Sequence, residues 1–491
     1  MKKAFRNRVR KSEIDMAWTI LATGHHPESG VAPDGQGIQN WLSSWNQRDA
    51  SIGRHKTQLE AIGNLLNESL EQLRLLIKAL DPDTEMEEFY GLCRDYDEAM
   101  VWLRRIWEYF REKLDQRLPD RASGSVLRAA DEVVWSCYRQ VFTKAVLRDP
   151  LVKQGAAPLA FVTPEYSPAA LLADRPPSSL LRPPDASFLT GFVNDLPIPL
   201  LQLPPWCIDS PWWLVYIGHE VGHHVQNHLG LERSFALGIR DAADDAAPSG
   251  QKLSATELDQ WQRWSKEIFA DIFSTMMMGP WALVAIFEAE LGPAAEMVKP
   301  KRDYPAPVIR LALMNETARL LAQDLGEEWR DSLDGLDVNK LALSNDRTKR
   351  DLAVVPKAIK FGLGDLGAVG KLQDLCGLAK GIYPIAGKVE RWGQVLLDPN
   401  TTRKESELES ARQVAAGSLS AWASFAVTGD APACKLQALA GRTVDTLIRS
   451  SQPGSRARYA PSGAIPGRGS ELVNMILTAA RSVRDLDAGV D

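Results

Sequence analysis

Residues 214–228 read Leu214-Val215-Tyr216-Ile217-Gly218-His219-Glu220-Val221-Gly222-His223-His224-Val225-Gln226-Asn227-His228, and the spacing within this run organises the rest of the chain. His219 and His223 are four residues apart, so on a helix they stand one turn apart on one face. There they can share one zinc ion at about 2.0–2.1 Å each, with Glu220 in reach of a water on that ion. At about 100° per residue, Leu214, Ile217, Val221 and Val225 form an apolar stripe roughly opposite the two imidazoles. The helix can bury that stripe and hold its ligands over a cleft. Gly218 and Gly222 each cost about 1 kcal/mol relative to Ala in a helix interior, which the close approach of a second backbone would explain. Four of the seven histidines, His219, His223, His224 and His228, fall in this run, so the plain alternative is a surface helix that is merely rich in His.

A third ligand must come from elsewhere. The metzincin pattern requires Gly at 226 and His at 229, whereas the chain has Gln226 and Leu229, which excludes that class. A second helix supplies carboxylates instead. Ser254 followed by Glu257 makes a capping box, and the helix runs on through Trp261, Trp264, Ile268, Phe269, Ile272 and Phe273 to Met276, Met277 and Met278. Glu267 and Asp271 lie one turn apart in this nearly all-apolar segment. Burying them costs several kcal/mol unless a cation or hydrogen bonds compensate. Otherwise the two acids belong to a solvated stripe with Arg263 and Lys266.

The HEVGH run, with Glu-Ile-Phe-Ala-Asp beginning at Glu267, 44 residues beyond His223, resembles the gluzincin zinc metallopeptidases. The likeness is to those whose third ligand lies in an E-x-x-A-D or E-x-x-x-D element, and it spans about Trp206 to Arg310. It implies a zincin-like metallopeptidase core, a Zn2+ cofactor bound by His219, His223 and Glu267, Glu220 as general base, and Asp271 as the acceptor that orients His219. It also implies an oxyanion donor after the third ligand, for which Tyr304 and Arg310, in Asp-Tyr-Pro-Ala-Pro-Val-Ile-Arg, are the candidates. The same tyrosine and prolines would suit an ordinary loop leading into a helix.

Leu-Pro-Ile-Pro-Leu-Leu-Gln-Leu-Pro-Pro-Trp, residues 196–206, is extended and apolar. Pro197 and Pro199 remove N–H groups from one side, so it is either an edge strand against which a substrate could align or a rigid loop into the ligand helix. Asp241 to Ser254, with Asp244, Asp245, Pro248 and Gly250, reads as a polar loop between the two ligand helices.

The expected fold is mainly α, with the zincin-like core at 123–320 and a small edge-strand or sheet element. An N-terminal helical region occupies 1–122, a C-terminal helical domain 321–449, and a flexible linker with a terminal helix 450–491. Leu59, Ile62, Leu66, Ser69, Leu73, Leu76 and Leu80, then Phe89, Cys93, Tyr96, Met100, Leu103, Trp107, Phe110 and Leu114, keep a 3-4 spacing that predicts an antiparallel hairpin, structural or a surface for a protein partner. A third helix at about Val126 to Val146 joins the catalytic unit. Further helices are expected at about Val308–Leu325, Ser406–Val427 and Ala431–Arg449, and a terminal one carrying Leu472, Ile476, Val483 and Leu486.

A formal net charge of -6 gives no electrostatic case for nucleic acid or an anionic membrane, and no run of about 18 apolar residues predicts a membrane span. Five cysteines without CxxC spacing suit a reducing, cytoplasmic setting. The basic start, residues 1–11, is followed by too short an apolar stretch for a signal peptide. Glycines 362, 364, 367 and 370 match neither phosphate-loop spacing. Three functional classes remain open: a metallopeptidase acting on a peptide or protein substrate, a zincin-like scaffold whose site is degenerate, and a zinc hydrolase of a non-peptide amide or ester.

Overall fold

The computed structural model describes residues 44, 55–81, 84–148, 157–171, 198–246, 252–325, 345–378, 386–398, 400, 411–428, 433–450 and 467–487. The basic start, the paired prolines at 176–177 and 183–184, and the linker at 451–466 lie outside them. The described chain is mainly helical with one small sheet. In chain order the longer helices are α1 (Lys56–Lys78), α2 (Met86–Asp115), α3 (Gly124–Arg148), α4 (Ile217–His228), α5 (Glu232–Ala246), α6 (Ala255–Met278), α7 (Pro280–Glu290), α8 (Pro307–Leu325), α9 (Asp346–Gly362), α10 (Ala386–Leu397), α11 (Ala411–Thr428), α12 (Ala433–Arg449) and α13 (Arg468–Asp487). Among the described residues no helix is long and apolar enough to cross a membrane, and all five cysteines are free thiols.

The chain divides into two units, one of Met1–Asp115, Ala173–Pro199 and Gln452–Asp491, the other of Gln116–Leu172 and Leu200–Ser451. In the first, α1 and α2 bury the expected stripe, including Leu59, Ile62, Leu66, Leu73, Phe89, Leu103, Trp107 and Leu114. The terminal helix α13 is not a separate tail. It packs on both α1 and α2 through Leu472, Val473, Ile476 and Leu477. The Ser69 hydroxyl donates to the Gly469 carbonyl at 3.0 Å, and a Cβ at Gly469 would lie 2.5 Å from the Ser69 nitrogen, so only glycine permits the approach. The 3-4 pattern was legible within each helix, but a partner some 400 residues away was not.

The second unit contains a contiguous core built from α3 to α12. The separate domain expected at 321–449 is therefore corrected: Val354, Ile359, Leu419, Leu439 and Leu447 are buried in the same core as Ile217, Val221 and Phe269. The loop expected at Asp241 to Ser254 is corrected over 241–246, where α5 continues to Ala246, whereas 247–251 lie outside the described residues. Phe235, Ile239 and Ala243, four residues apart, bury one face of α5, while Asp241, Asp244 and Asp245 are exposed on the other side of the helix.

Three strands, β1 (Leu159–Val162), β2 (Ala169–Leu171) and β3 (Leu200–Leu203), form a sheet in the order β1-β3-β2. β1 pairs parallel with β3, Leu159 opposite Leu200, and β2 pairs antiparallel with it, Ala170 opposite Leu201. The segment 196–206 thus supplies the central strand and not an edge. Pro199 and Pro204 bracket Leu200–Leu203 without entering it, so the strand keeps N–H groups on both sides for pairing. β2 is the edge.

α4 crosses α6 at its glycines. A Cβ on Gly222 would stand 2.9 Å from the Ala270 Cα and 3.3 Å from its carbonyl oxygen, and one on Gly218 would stand 3.0 Å from Ser274 Oγ and Met278 Cγ. The contacts at Gly222 are with backbone, which no rotamer change relieves. Gly222→Ala should therefore lose up to about 2 kcal/mol, its overpacking strain of about 1–3 kcal/mol offset by a gain of about 1 kcal/mol in helix propensity. Urea melts of the metal-free chain check this, and a midpoint equal to or above that of the parent would contradict it.

Candidate metal centre

α4 and α6 lay His219, His223 and Glu267 side by side, with a ligating atom of each within 4.8 Å of the others. The Nε2 atoms of His219 and His223 are 3.2 Å apart. Glu267 Oε2 lies 3.2 Å from His219 Nε2, and Glu267 Oε1 lies 3.7 Å from His223 Nε2. Ligand atoms bound at about 2.0–2.1 Å in a tetrahedral zinc site stand about 3.3–3.4 Å from one another. Glu267 Oε2 is buried without a well-directed hydrogen bond. Two nitrogens and a carboxylate oxygen at these separations fit a shared zinc ion.

Asp271 is fully buried one turn beyond Glu267. Its Oδ1 is 2.9 Å from His219 Nδ1, which turns His219 Nε2 toward His223 and Glu267. Arg310, on α8, sits on the far side of Asp271: its Nε donates to Oδ2 at 2.9 Å and its Nη2 to Oδ1 at 2.8 Å. Its Nη1 donates to Glu290 at 2.8 Å. Each guanidinium nitrogen is thus committed to a carboxylate. The fork that the sequence reading offered to an oxyanion grips Asp271 here, and Arg310 Nη2 also lies 4.0 Å from Glu267 Oε2.

The electrostatics match this layout. Burial alone would raise the carboxyl of Asp271, but Arg310 and His219 hold it well below the usual range. Glu267 is likewise lowered, burial being outweighed by His219, His223 and Arg310. Burial depresses His223 to about 4, leaving a neutral imidazole. At His219 burial is opposed and outweighed by Asp271 and Glu267, which push the group up to about 10. Burial raises Glu220 to about 7, with Glu267 adding to the rise and His219 opposing it, while the Ala170 N–H of β2 donates to its carboxylate. Glu220, Glu267 and Asp271 thus share two cationic partners, the Arg310 guanidinium and the His219 imidazole.

Tyr304 precedes α8 and is 41% exposed. The charge on Glu267, then burial, raises its hydroxyl to about 12, with a smaller push from Glu220. It therefore stays protonated within the field of both carboxylates. Its ring lies 5.9 Å from the Arg310 guanidinium.

Sequence reasoning passed over three contributors. Ala170 has no side chain to mark it and sits in a three-residue strand. Glu290 is one acid among many until Arg310 reaches it. His224 looked like a further histidine of the cluster, but its Nε2 lies 3.0 Å from the Leu200 carbonyl, so the Nε2–H donates there and ties α4 to β3.

Burial, then His223, lowers His224 to about 3. This folded value lies below the unfolded value of about 6.5. The unfolded state therefore takes the proton first as the pH falls, and between about 6.5 and 3 stability drops by up to about 1.4 kcal/mol per pH unit from this group. His224→Gln keeps a donor but cannot titrate, so its acid slope should be shallower. Urea midpoints of both metal-free proteins at neutral and mildly acidic pH check this, and equal slopes would contradict it.

No protein-family model, curated protein or solved structure matches the chain.

Proposed function

We propose that the chain is a zinc-dependent hydrolase that cleaves peptide bonds, with His219, His223 and Glu267 holding the metal. The observation that carries this reading is the close set of two imidazoles and a carboxylate, braced from behind by the Asp271 contact to His219 at 2.9 Å. When bound, zinc supplies Lewis acidity to the scissile carbonyl and acidifies the attacking water.

Glu220, raised by burial to about 7, takes the proton of that water and returns it to the leaving amine. The Ala170 N–H fixes the carboxylate that does so. The Tyr304 hydroxyl, protonated because its pKa is pushed up to about 12, can donate to the developing oxyanion. Arg310 acts through Asp271, which fixes the tautomer of His219. β2 is the sheet edge that lies against α4, and an extended peptide added there would pass beside Glu220. That edge favours a peptide over a small amide or ester. Glu220 argues against a scaffold, since a purely structural metal site has no use for a buried base.

A proteome digested with the zinc-loaded chain should yield new peptide termini that are missing with a Glu220→Gln control. Identical sets of termini would contradict the reading.

A further inference from the structure

The aromatic residues leading into α4 are more than a core. Trp206 and Trp213 are half-buried, and Tyr166, in the loop joining β1 to β2, is 84% exposed. Their rings form a continuous series: Tyr166 to Trp206 at 6.4 Å, Trp206 to Tyr216 at 6.1 Å, Trp206 to Trp213 at 6.2 Å and Trp213 to Tyr216 at 5.8 Å. Tyr216 stands directly before α4, one turn ahead of His219 and Glu220. Its hydroxyl donates to the Ala285 carbonyl at 2.6 Å, which fixes the ring.

The series is also pinned to the strand beside the base. Because β1 and β2 both pair with β3 and not with each other, the segment between them must cross the end of β3. Trp206 Nε1 donates to the Tyr166 carbonyl at 3.0 Å, and Gln202 Nε2 to the Ser167 carbonyl at 3.3 Å. The crossing is thereby held in place, and with it Ala170, whose N–H meets Glu220. The hydrogen bonds that hold the crossing thus connect the aromatic series to the strand that carries Ala170. Aromatic rings left partly open to solvent offer a large apolar contact at little entropic cost.

We propose that Tyr166, Trp206 and Trp213 form the subsite that selects the substrate, taking a large apolar or aromatic side chain of a peptide next to the bond to be cleaved. This rests on the peptide-hydrolase reading. A side chain the size of Phe gains contact along the rings, whereas Ala leaves them wet. An apolar subsite of this kind discriminates by about 10- to 200-fold.

The test uses the full-length chain carrying Glu220→Gln, which binds without turnover, loaded with zinc. The probes are two capped octapeptides that differ only in having Phe or Ala at one central position, titrated by calorimetry. The Phe peptide should bind at least about tenfold more tightly. Tyr166→Ala, an exposed change that keeps the backbone carbonyl bonded to Trp206, should reduce the preference severalfold, and Trp213→Ala should reduce it further. Equal affinity for the two peptides, absence of binding by both, or a preference that survives both substitutions would overturn the subsite. Failure of the hydrolase reading is separate, since the parent chain would then leave both peptides uncut while the Phe preference in binding persists.

Discussion

Glu220→Gln should abolish hydrolysis, with turnover lower by about 100- to 10,000-fold or more, while zinc content and fold remain those of the parent. Gln matches Glu in shape, and the side chain it replaces is only 6% exposed, so the pocket refills without a cavity. The amide oxygen can still accept from the Ala170 N–H. What it cannot do is take a proton from water. The zinc ligands are untouched, and no charged partner loses a direct ion pair with Glu220. Single-turnover cleavage of a peptide by the parent and the variant, both zinc-loaded, measures the effect. Undiminished turnover by the variant would remove Glu220 from the reaction.

Asp271→Ala should have the largest effect on stability. Asp271 is fully buried and accepts two hydrogen bonds from Arg310, at 2.9 and 2.8 Å, besides its 2.9 Å contact with His219. Its removal leaves Arg310 buried, with Glu290 as its remaining hydrogen-bonded carboxylate, and breaking a buried pair from one side costs about 3–5 kcal/mol. His219 also loses the group that turns its Nε2 toward the metal, so zinc affinity should fall by about 10- to 100-fold. Glu267→Ala removes a direct ligand and should weaken zinc more while disturbing the fold less. Urea melts of the metal-free proteins and competition with a chromophoric chelator separate the two effects. An Asp271→Ala protein with parental stability and zinc affinity would contradict both.

Helices α4 and α6 were legible because their signals are local. The 3.6-residue period of α4, the Ser254–Glu257 capping box, which the structure forms with both of its hydrogen bonds, and the apolar run of α6 are each contained within one turn or one helix. Gly218 and Gly222 pointed to a close neighbour, and Ala270 of α6 is that neighbour at Gly222. Tertiary partnership was less legible. The paired acids of α5 and the nearby Pro248 and Gly250 resembled loop punctuation, although Phe235, Ile239 and Ala243 carry a buried helical face. Pro197 and Pro199 suggested an edge strand or a rigid loop, although the strand that follows them, Leu200–Leu203, is central.

The site divides in the same way. The pairs His219 with His223 and Glu267 with Asp271 could be named from spacing, because one helical turn fixes which side chains share a face, whereas joining the two pairs in one site rested on the resemblance. The role of Arg310 could not, since it depends on α8 bringing a guanidinium behind α6. Nor could Ala170 be found, because it contributes a backbone N–H and its identity carries no signal. The aromatic series from Tyr166 to Tyr216 was equally hidden, for it is assembled from a strand crossing, a turn and the approach to α4.

The measurement that bears most directly on the metal centre is elemental analysis of the purified chain after zinc loading and removal of free metal, beside a His219→Ala, His223→Ala double variant. The parent should hold one zinc per chain, and the double variant close to none, because Glu267 alone cannot retain the ion. Full zinc occupancy in the double variant, or none in the parent, would contradict a site built from His219, His223 and Glu267.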